Sequence, residues 1–289
     1  MKRGALLILL ILMLLGTAAA EEVCTLPMDL SPGMPLRAEN YVDENTYIDP
    51  TIEMHVTSGT ADETSWWMAD VTIQHPSQLR TMPAYSFTSN VTLQGKRLSS
   101  RANAVLAVNG DYFSLEVHVK GSYVLRQGTL YSQRLLGRTD ILLIDDAGDF
   151  HVVRKAEEGS IPTEIDGRQI VNALCFGPML VEDGKVCQIE RNDFMASEKL
   201  RARVALCQMG PLHYAVVCCS GPSMGNKGMT LQSFADLLGQ LGVQSAYNLD
   251  GGNSAMMFTG DRMLNVNRSI RAISDIVYFA SAWPGEETK

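Results

Sequence analysis

The apolar residues of this chain come in short runs that stop at turn-forming pairs, and that punctuation constrains the fold more than any other feature. Asp140 to Asp145, Ala147-Gly148-Asp149 and Phe150 to Val153 read as one hairpin. Met179 to Glu182, Asp183-Gly184 and Lys185 to Ile189 read as a second, and Ala202 to Gln208, Gly210-Pro211 and His213 to Cys219 as a third. Met68 to Gln74 alternates like a half-buried strand, while Ala104 to Val108 is the unbroken apolar run of a strand covered on both faces. Helical periodicity is convincing once. Thr230 is placed to cap a helix whose Leu231, Phe234, Leu237, Leu238 and Leu241 share one face, and Gly242 supplies the stop. It runs straight into the strand-like Val243 to Leu249. A strand, helix, strand passage inside a hairpin-rich chain predicts an α+β domain with a mainly antiparallel or mixed β-sheet and few helices.

The chain divides into unequal parts. Residues 1–20 carry a basic start, an apolar run from Ala5 to Leu15 and small residues before Glu21, the pattern of a secretory signal peptide. Residues 21–60 are rich in Pro, Asp, Glu and Thr and read as an exposed N-terminal arm. Residues 61–283 form the predicted domain and 284–289 a short tail. No membrane-spanning segment is expected beyond the signal, and the destination is extracellular or in the cell envelope. The formal net charge of −8, with no basic run, excludes a nucleic-acid partner because phosphates in bulk need matching cations. A single phosphate in a pocket is a separate matter. Six cysteines in an exported chain admit disulfides, yet Cys207 and Cys218 lie in strand-like runs where buried free thiols serve equally well. The oligomeric state leaves no trace in the sequence.

Polar clusters interrupt the apolar pattern at Asn109-Gly110-Asp111, at Ser220 to Lys227, at Asn248 to Ser254, and at Arg268, Arg271, Ser274 and Asp275. Side-by-side strand ends would gather them into a pocket with carboxylates, amides and a guanidinium, suited to a polar and anionic ligand. The alternative for Asp250-Gly251-Gly252 is a tight turn and nothing more. Gly221-Pro222-Ser223-Met224-Gly225 matches a nucleophile elbow in letters, but that elbow needs a helix starting at the serine, and no histidine follows His213 to act as base. Asp145, Asp146 and Asp149 resemble a calcium loop only loosely, and a hairpin turn is the simpler reading. The five histidines have no paired ligand spacing.

Taken together, Asn109-Gly110-Asp111-Tyr112-Phe113, Arg203, Ser220-Gly221, Gly228-Met229-Thr230-Leu231 with its helix, Asn248-Leu249-Asp250-Gly251-Gly252-Asn253-Ser254, and Arg271 with Ser274-Asp275 resemble the phosphodiester glycosidase family, over roughly Ala102 to Ala280. The resemblance implies hydrolysis of a sugar-1-phosphodiester, of the N-acetylglucosamine kind, to free sugar and a phosphomonoester. It implies catalytic carboxylates among Asp250, Asp111 and Asp275, with Asp250 nearest the anomeric carbon or the attacking water. Arg203 and Arg271 are then expected on the phosphate. Asn109, Gly110, Ser220, Gly221, Gly251, Gly252, Asn253 and Ser254 are expected to position sugar or phosphate. Asp111 stands where the family often has a second glycine, so it is an extra carboxylate, a metal ligand or a turn residue. No cofactor is implied, with a divalent metal such as calcium the one addition Asp111 leaves open. The cysteine-rich module and transmembrane tail of animal members do not follow Lys289. The reading from another class is a non-catalytic module that binds envelope polysaccharide or a sugar phosphate.

Overall fold

The computed structural model describes residues 23–112, 123–135, 139–157, 159–193, 195–223, 225–265 and 269–285. The signal segment 1–20, Phe113, Met224, Arg268 and residues 286–289 lie outside the described residues.

The described strands assemble into three sheets. The largest has nine strands in the order Tyr41–Asp43, Thr46–Asp49, Ile52–Ala61, Thr64–Ile73, His213–Cys219, Arg203–Gly210, Ser245–Asn248, Met179–Glu182 and Lys185–Val186. A five-stranded sheet runs Arg262–Met263, Met257–Thr259, Ala104–Asn109, Asp275–Ala280 and Leu79–Pro83. A six-stranded sheet runs Phe150–Val153, Ile141–Asp145, Arg168–Leu174, Tyr123–Arg126 and Thr129–Gln133, with Glu164–Ile165 paired to Arg168–Leu174. The pairings within these sheets are antiparallel, as the punctuation of the sequence requires. The helix Leu231–Gln240 crosses over from His213–Cys219 to Ser245–Asn248, and these two strands flank Arg203–Gly210.

Alternation along each strand builds the core. Val204 and Leu206 face the central core with Val216, Val277, Phe279, Leu142 and Leu174, drawn from all three sheets. Ala205 and Cys207 face the other way, against Leu231, Phe234, Ala235 and Leu238 of the helix. A strand covered on both faces therefore reads as continuous apolar sequence. The Thr230 hydroxyl accepts from the Ser233 amide at 3.0 Å, worth about 1 kcal/mol in such caps, and Gly242 sits at φ +77° just beyond the helix. A second helix, Gly95–Ala102, which the sequence reading did not separate out, buries Leu98 and Ala102 against the outer face of the five-stranded sheet.

Two expectations are corrected. Of the segment expected as an exposed arm, residues 41–60 are instead part of the folded body. Thr46–Asp49 and Ile52–Ala61 are strands of the largest sheet, and Tyr47, Ile52 and Met54 are buried. The turn joining Ile52–Ala61 to Thr64–Ile73 is Asp62-Glu63, both at positive φ (46° and 56°) without a glycine, so the usual hairpin signal is missing from the sequence. The second hairpin is shorter than expected and ends at Val186, because the Ile189 amide turns away to donate to Gln232 Oε1 at 2.9 Å. All six cysteines are free, with Cys207, Cys218 and Cys219 buried.

Candidate active site

The strand Ser245–Asn248 delivers Asp250 to the seam between the largest and the five-stranded sheets. Leu249 still donates to Val204 O at 2.9 Å, and then the chain turns. A Cβ at Gly251 would lie 2.7 Å from Ala202 O, and Gly252 adopts φ +59° while donating to that same carbonyl at 2.8 Å. Only glycine fits both demands comfortably, which explains the pair. Across the seam, Asn109 at the end of its strand donates through Nδ2 to Asp250 O at 2.8 Å and accepts from the Met256 amide at 3.2 Å. One amide side chain thus pins both ends of the loop.

The Asp250 carboxylate meets Arg271. Nη2 of Arg271 donates to Asp250 Oδ2, and Nε donates to Ser254 Oγ at 2.6 Å. The Arg271 side chain is 39% exposed and that of Asp250 10%. Asn253 is exposed and contributes its carbonyl, which accepts from the Arg271 amide at 3.0 Å. A cation and an anion are presented together, one of them open to solvent.

Beside this pair lies a buried one. Arg126 Nη2 donates to Asp111 Oδ2 at 2.7 Å and approaches Asp275 Oδ2 at 3.4 Å. Its Nη1 donates to the carbonyls of Leu125 and Ala173, while Nε is buried with no partner among the described residues. Phe87 covers the guanidinium, with the ring centroid 5.5 Å from its central carbon. Asp111 Oδ1 accepts from the Cys175 amide at 2.7 Å. Gly110 donates to Asp275 O at 3.0 Å, and a Cβ there would fall 2.5 Å from Asp275 Oδ1. Glycine at 110 is what lets the two carboxylates share one guanidinium.

Burial pushes all three carboxyls above the ordinary carboxylate range, Asp275 to about 6, with Arg126 and Arg271 pulling back on their partners. The charge on Asp111 raises both Asp250 and Asp275, so the three acids act on one another electrostatically. Cys175, half-buried next to Asp111, has its thiol pushed well up by desolvation and by the Asp111 charge and stays protonated.

Asp111, Asp250, Asp275, Asn109, Gly110, Gly251, Gly252, Asn253, Ser254 and Arg271 are thus brought together. Arg203 is a correction. Its guanidinium is 2% exposed and donates to the carbonyls of Met229, Met195, Ala196 and Lys199, which leaves it holding a loop rather than reaching a phosphate. Ser220 is buried with its amide on Ser65 O, and Gly221 packs against Ala202, where a Cβ would lie 3.1 Å from the Ala202 amide nitrogen. These two support the seam from behind. A metal at Asp111 fits poorly, since both its oxygens already accept from protein donors, and no group of three or more metal-ligating side chains occurs among the described residues. Ser223 sits in a turn with Asn226, well before the helix at Leu231, so no elbow forms. Asp145 Oδ1 accepts from the amides of Ala147 and Asp149, which makes that acidic cluster a hairpin turn. Arg126 is the residue sequence reasoning missed; its one signal was a lone charge in the apolar run Tyr123-Val124-Leu125-Arg126.

The seam of antiparallel sheets brings three electrostatically coupled carboxylates together with one buried and one partly exposed guanidinium. The chain matches the phosphodiester glycosidase family over residues 102–280 and belongs to it. The fold is similar to the zebrafish N-acetylglucosamine-1-phosphodiester alpha-N-acetylglucosaminidase catalytic domain auto-inhibited by its pro-peptide, with a TM-score of 0.64 and 16% identity over 86% of this chain and 87% of that one. It is also similar to a hypothetical protein from Synechocystis, with a TM-score of 0.57 and 16% identity over 79% of this chain and 62% of that one. No curated protein matches the chain.

Proposed function

We propose that the protein hydrolyses a sugar-1-phosphodiester, releasing free sugar and a phosphomonoester. The observation that carries this reading is the direct pairing of Asp250 with a partly exposed Arg271. The bond to be broken joins an anomeric carbon, which gains positive charge in the transition state, to a phosphate that departs with negative charge. A carboxylate and a guanidinium side by side match that separation of charge, and a guanidinium can hold two phosphate oxygens at once. The phosphate is already a good leaving group, so the demand for a strong general acid is small. Water adds to the anomeric carbon, its proton passes to a carboxylate, and the electron pair of the C–O bond leaves with the phosphate.

In this reading Asp250 faces the anomeric centre and Arg271 the phosphate. Asn109, Ser254 and the Gly251-Gly252 backbone hold Asp250 and Arg271 in register. Burial of Asp250 and the charge on Asp111 keep its carboxyl high, while Asp111 and Asp275 are tied to Arg126. The basic, apolar and small residues of segment 1–20 support export, which suits a substrate in the envelope or outside the cell.

The test incubates purified protein with a panel of sugar-1-phosphodiesters, N-acetylglucosamine-1-phosphodiesters among them, and assays free sugar and phosphomonoester. Release by the wild type and loss of at least about a thousandfold in kcat with Asp250→Asn are expected. Tight binding of a sugar phosphate with no release across the panel would replace this reading with that of a binding module.

A further inference from the structure

A cavity of about 540 Å³ opens on the edge strand Thr129–Gln133, lined by Phe87, Thr88, Tyr131, Ser132, Gln133 and Arg134. Phe87 links it to the active site. Phe87 packs on the Arg126 guanidinium at 5.5 Å on one side and on the Tyr131 ring at 5.2 Å on the other. Arg126 in turn holds Asp111 and Asp275. The strand register agrees, since Tyr123–Arg126 pairs directly with Thr129–Gln133. The cavity and the carboxylates are therefore two successive contacts apart.

The lining has a particular chemistry. The rings of Phe87 and Tyr131 meet at 53°, forming a corner instead of a closed stack. Around them stand two hydroxyls, Thr88 and Ser132, and the Gln133 amide, while Arg134 is exposed beside them. An apolar floor with a neutral hydrogen-bonding rim matches a pyranose, which has an apolar C–H face and a rim of hydroxyls. An exposed guanidinium next to it matches a phosphate on the far side of that sugar.

We infer that this cavity is a subsite for a second sugar of the substrate, so that the protein acts on phosphodiester-linked oligosaccharide or polysaccharide rather than on an isolated sugar-1-phosphodiester. The inference rests on the proposed glycosidase activity for its catalytic arm and on binding alone for the other. Tyr131 provides the platform and Arg134 holds the neighbouring phosphate.

The experiment uses two probes, a methyl-capped N-acetylglucosamine-1-phosphodiester and an oligomer of several N-acetylglucosamine-1-phosphate units. Both turnover and equilibrium binding are measured, with wild type, Tyr131→Ala, Tyr131→Phe and Arg134→Ala. Wild type is expected to show higher kcat/KM and tighter binding for the oligomer. Tyr131→Ala should lose about tenfold on the oligomer, the scale of one lost aromatic contact with its buried area, and keep its activity on the capped monomer. Tyr131→Phe, which retains the ring, should restore most of it, and Arg134→Ala should weaken the oligomer alone. Equal handling of both probes by wild type, or equal loss on both with Tyr131→Ala, overturns the subsite while leaving the glycosidase reading intact. Tyr131-dependent binding of the oligomer without cleavage of either probe keeps the subsite and sinks the glycosidase reading. Neither binding nor cleavage overturns both.

Discussion

The candidate active site holds two arginine–carboxylate assemblies side by side, and they differ in burial. Arg126 is 1% exposed and shared by Asp111 and Asp275, whereas Arg271 is 39% exposed and paired with Asp250. A buried guanidinium between two acids has nowhere to go, because each group left unpaired in the interior would cost several kcal/mol. An open one can trade part of its hydration for a ligand. The same chemistry thus serves as framework in one place and as working surface in the other, and burial alone sorts the roles.

The comparison breaks most visibly at Arg126. Replacing it by Leu leaves two buried carboxyls without their cation, which should cost about 3–5 kcal/mol and lower the thermal midpoint by about 10 °C, with activity lost as well. A stable Arg126→Leu protein with unchanged kcat would dissolve the distinction. Arg271→Ala should instead cut kcat/KM about a hundredfold, the scale of one or two hydrogen bonds to a charged group, while the midpoint falls less than with Arg126→Leu, because one buried carboxyl and not two is left without its cation. A large fall in midpoint by calorimetry would move Arg271 into the framework.

Arg203 sharpens the contrast from a third side. Arg203→Lys loses most of its four carbonyl contacts and should destabilise by about 2 kcal/mol in a urea titration. Competitive inhibition by inorganic phosphate should stay at its wild-type value, and a weakened phosphate would return Arg203 to the ligand.

The last effect is a pH dependence at Asp275. Its carboxyl titrates at about 6 in the folded protein, against about 3.9 unfolded. The folded state therefore binds the extra proton, and this contribution to stability is present at low pH and is lost as pH rises through about 6. Asp275→Asn removes the titration, so the variant should gain on wild type by roughly 3 kcal/mol above that pH and show no gain near pH 4. Unfolding midpoints across pH 4 to 8 check the sign; a variant less stable than wild type at neutral pH, with the deficit vanishing in acid, would mean Arg126 holds Asp275 charged.

Much of this was legible in the sequence because the signals are local. Thr230, the leucine face and Gly242 define one helix, and Gly148, Gly184 and Gly210-Pro211 mark three hairpins, each readable within a dozen residues. Asp250-Gly251-Gly252 announced a site because two glycines in an apolar strand end need a reason. The rest depends on distant partners. Arg126 meets Asp111 and Asp275 only through the sheet pairings, and nothing near it in the chain foretells them. Arg203 had the right residue type for a phosphate, but a guanidinium satisfies backbone carbonyls equally well, and only burial distinguishes the uses. The strands of 41–61 were hidden by polar composition and by a turn made without glycine.

Asn109 carries one more consequence. By bonding Asp250 O and the Met256 amide at once, it makes the Asp250 loop a joint between two sheets whose strands belong to the protected interior. The site therefore has no private route to disorder. Amide hydrogens at Asn109, Leu249 and Met256 should exchange only when the sheets themselves come apart, and activity in rising denaturant should vanish with the global transition, not ahead of it.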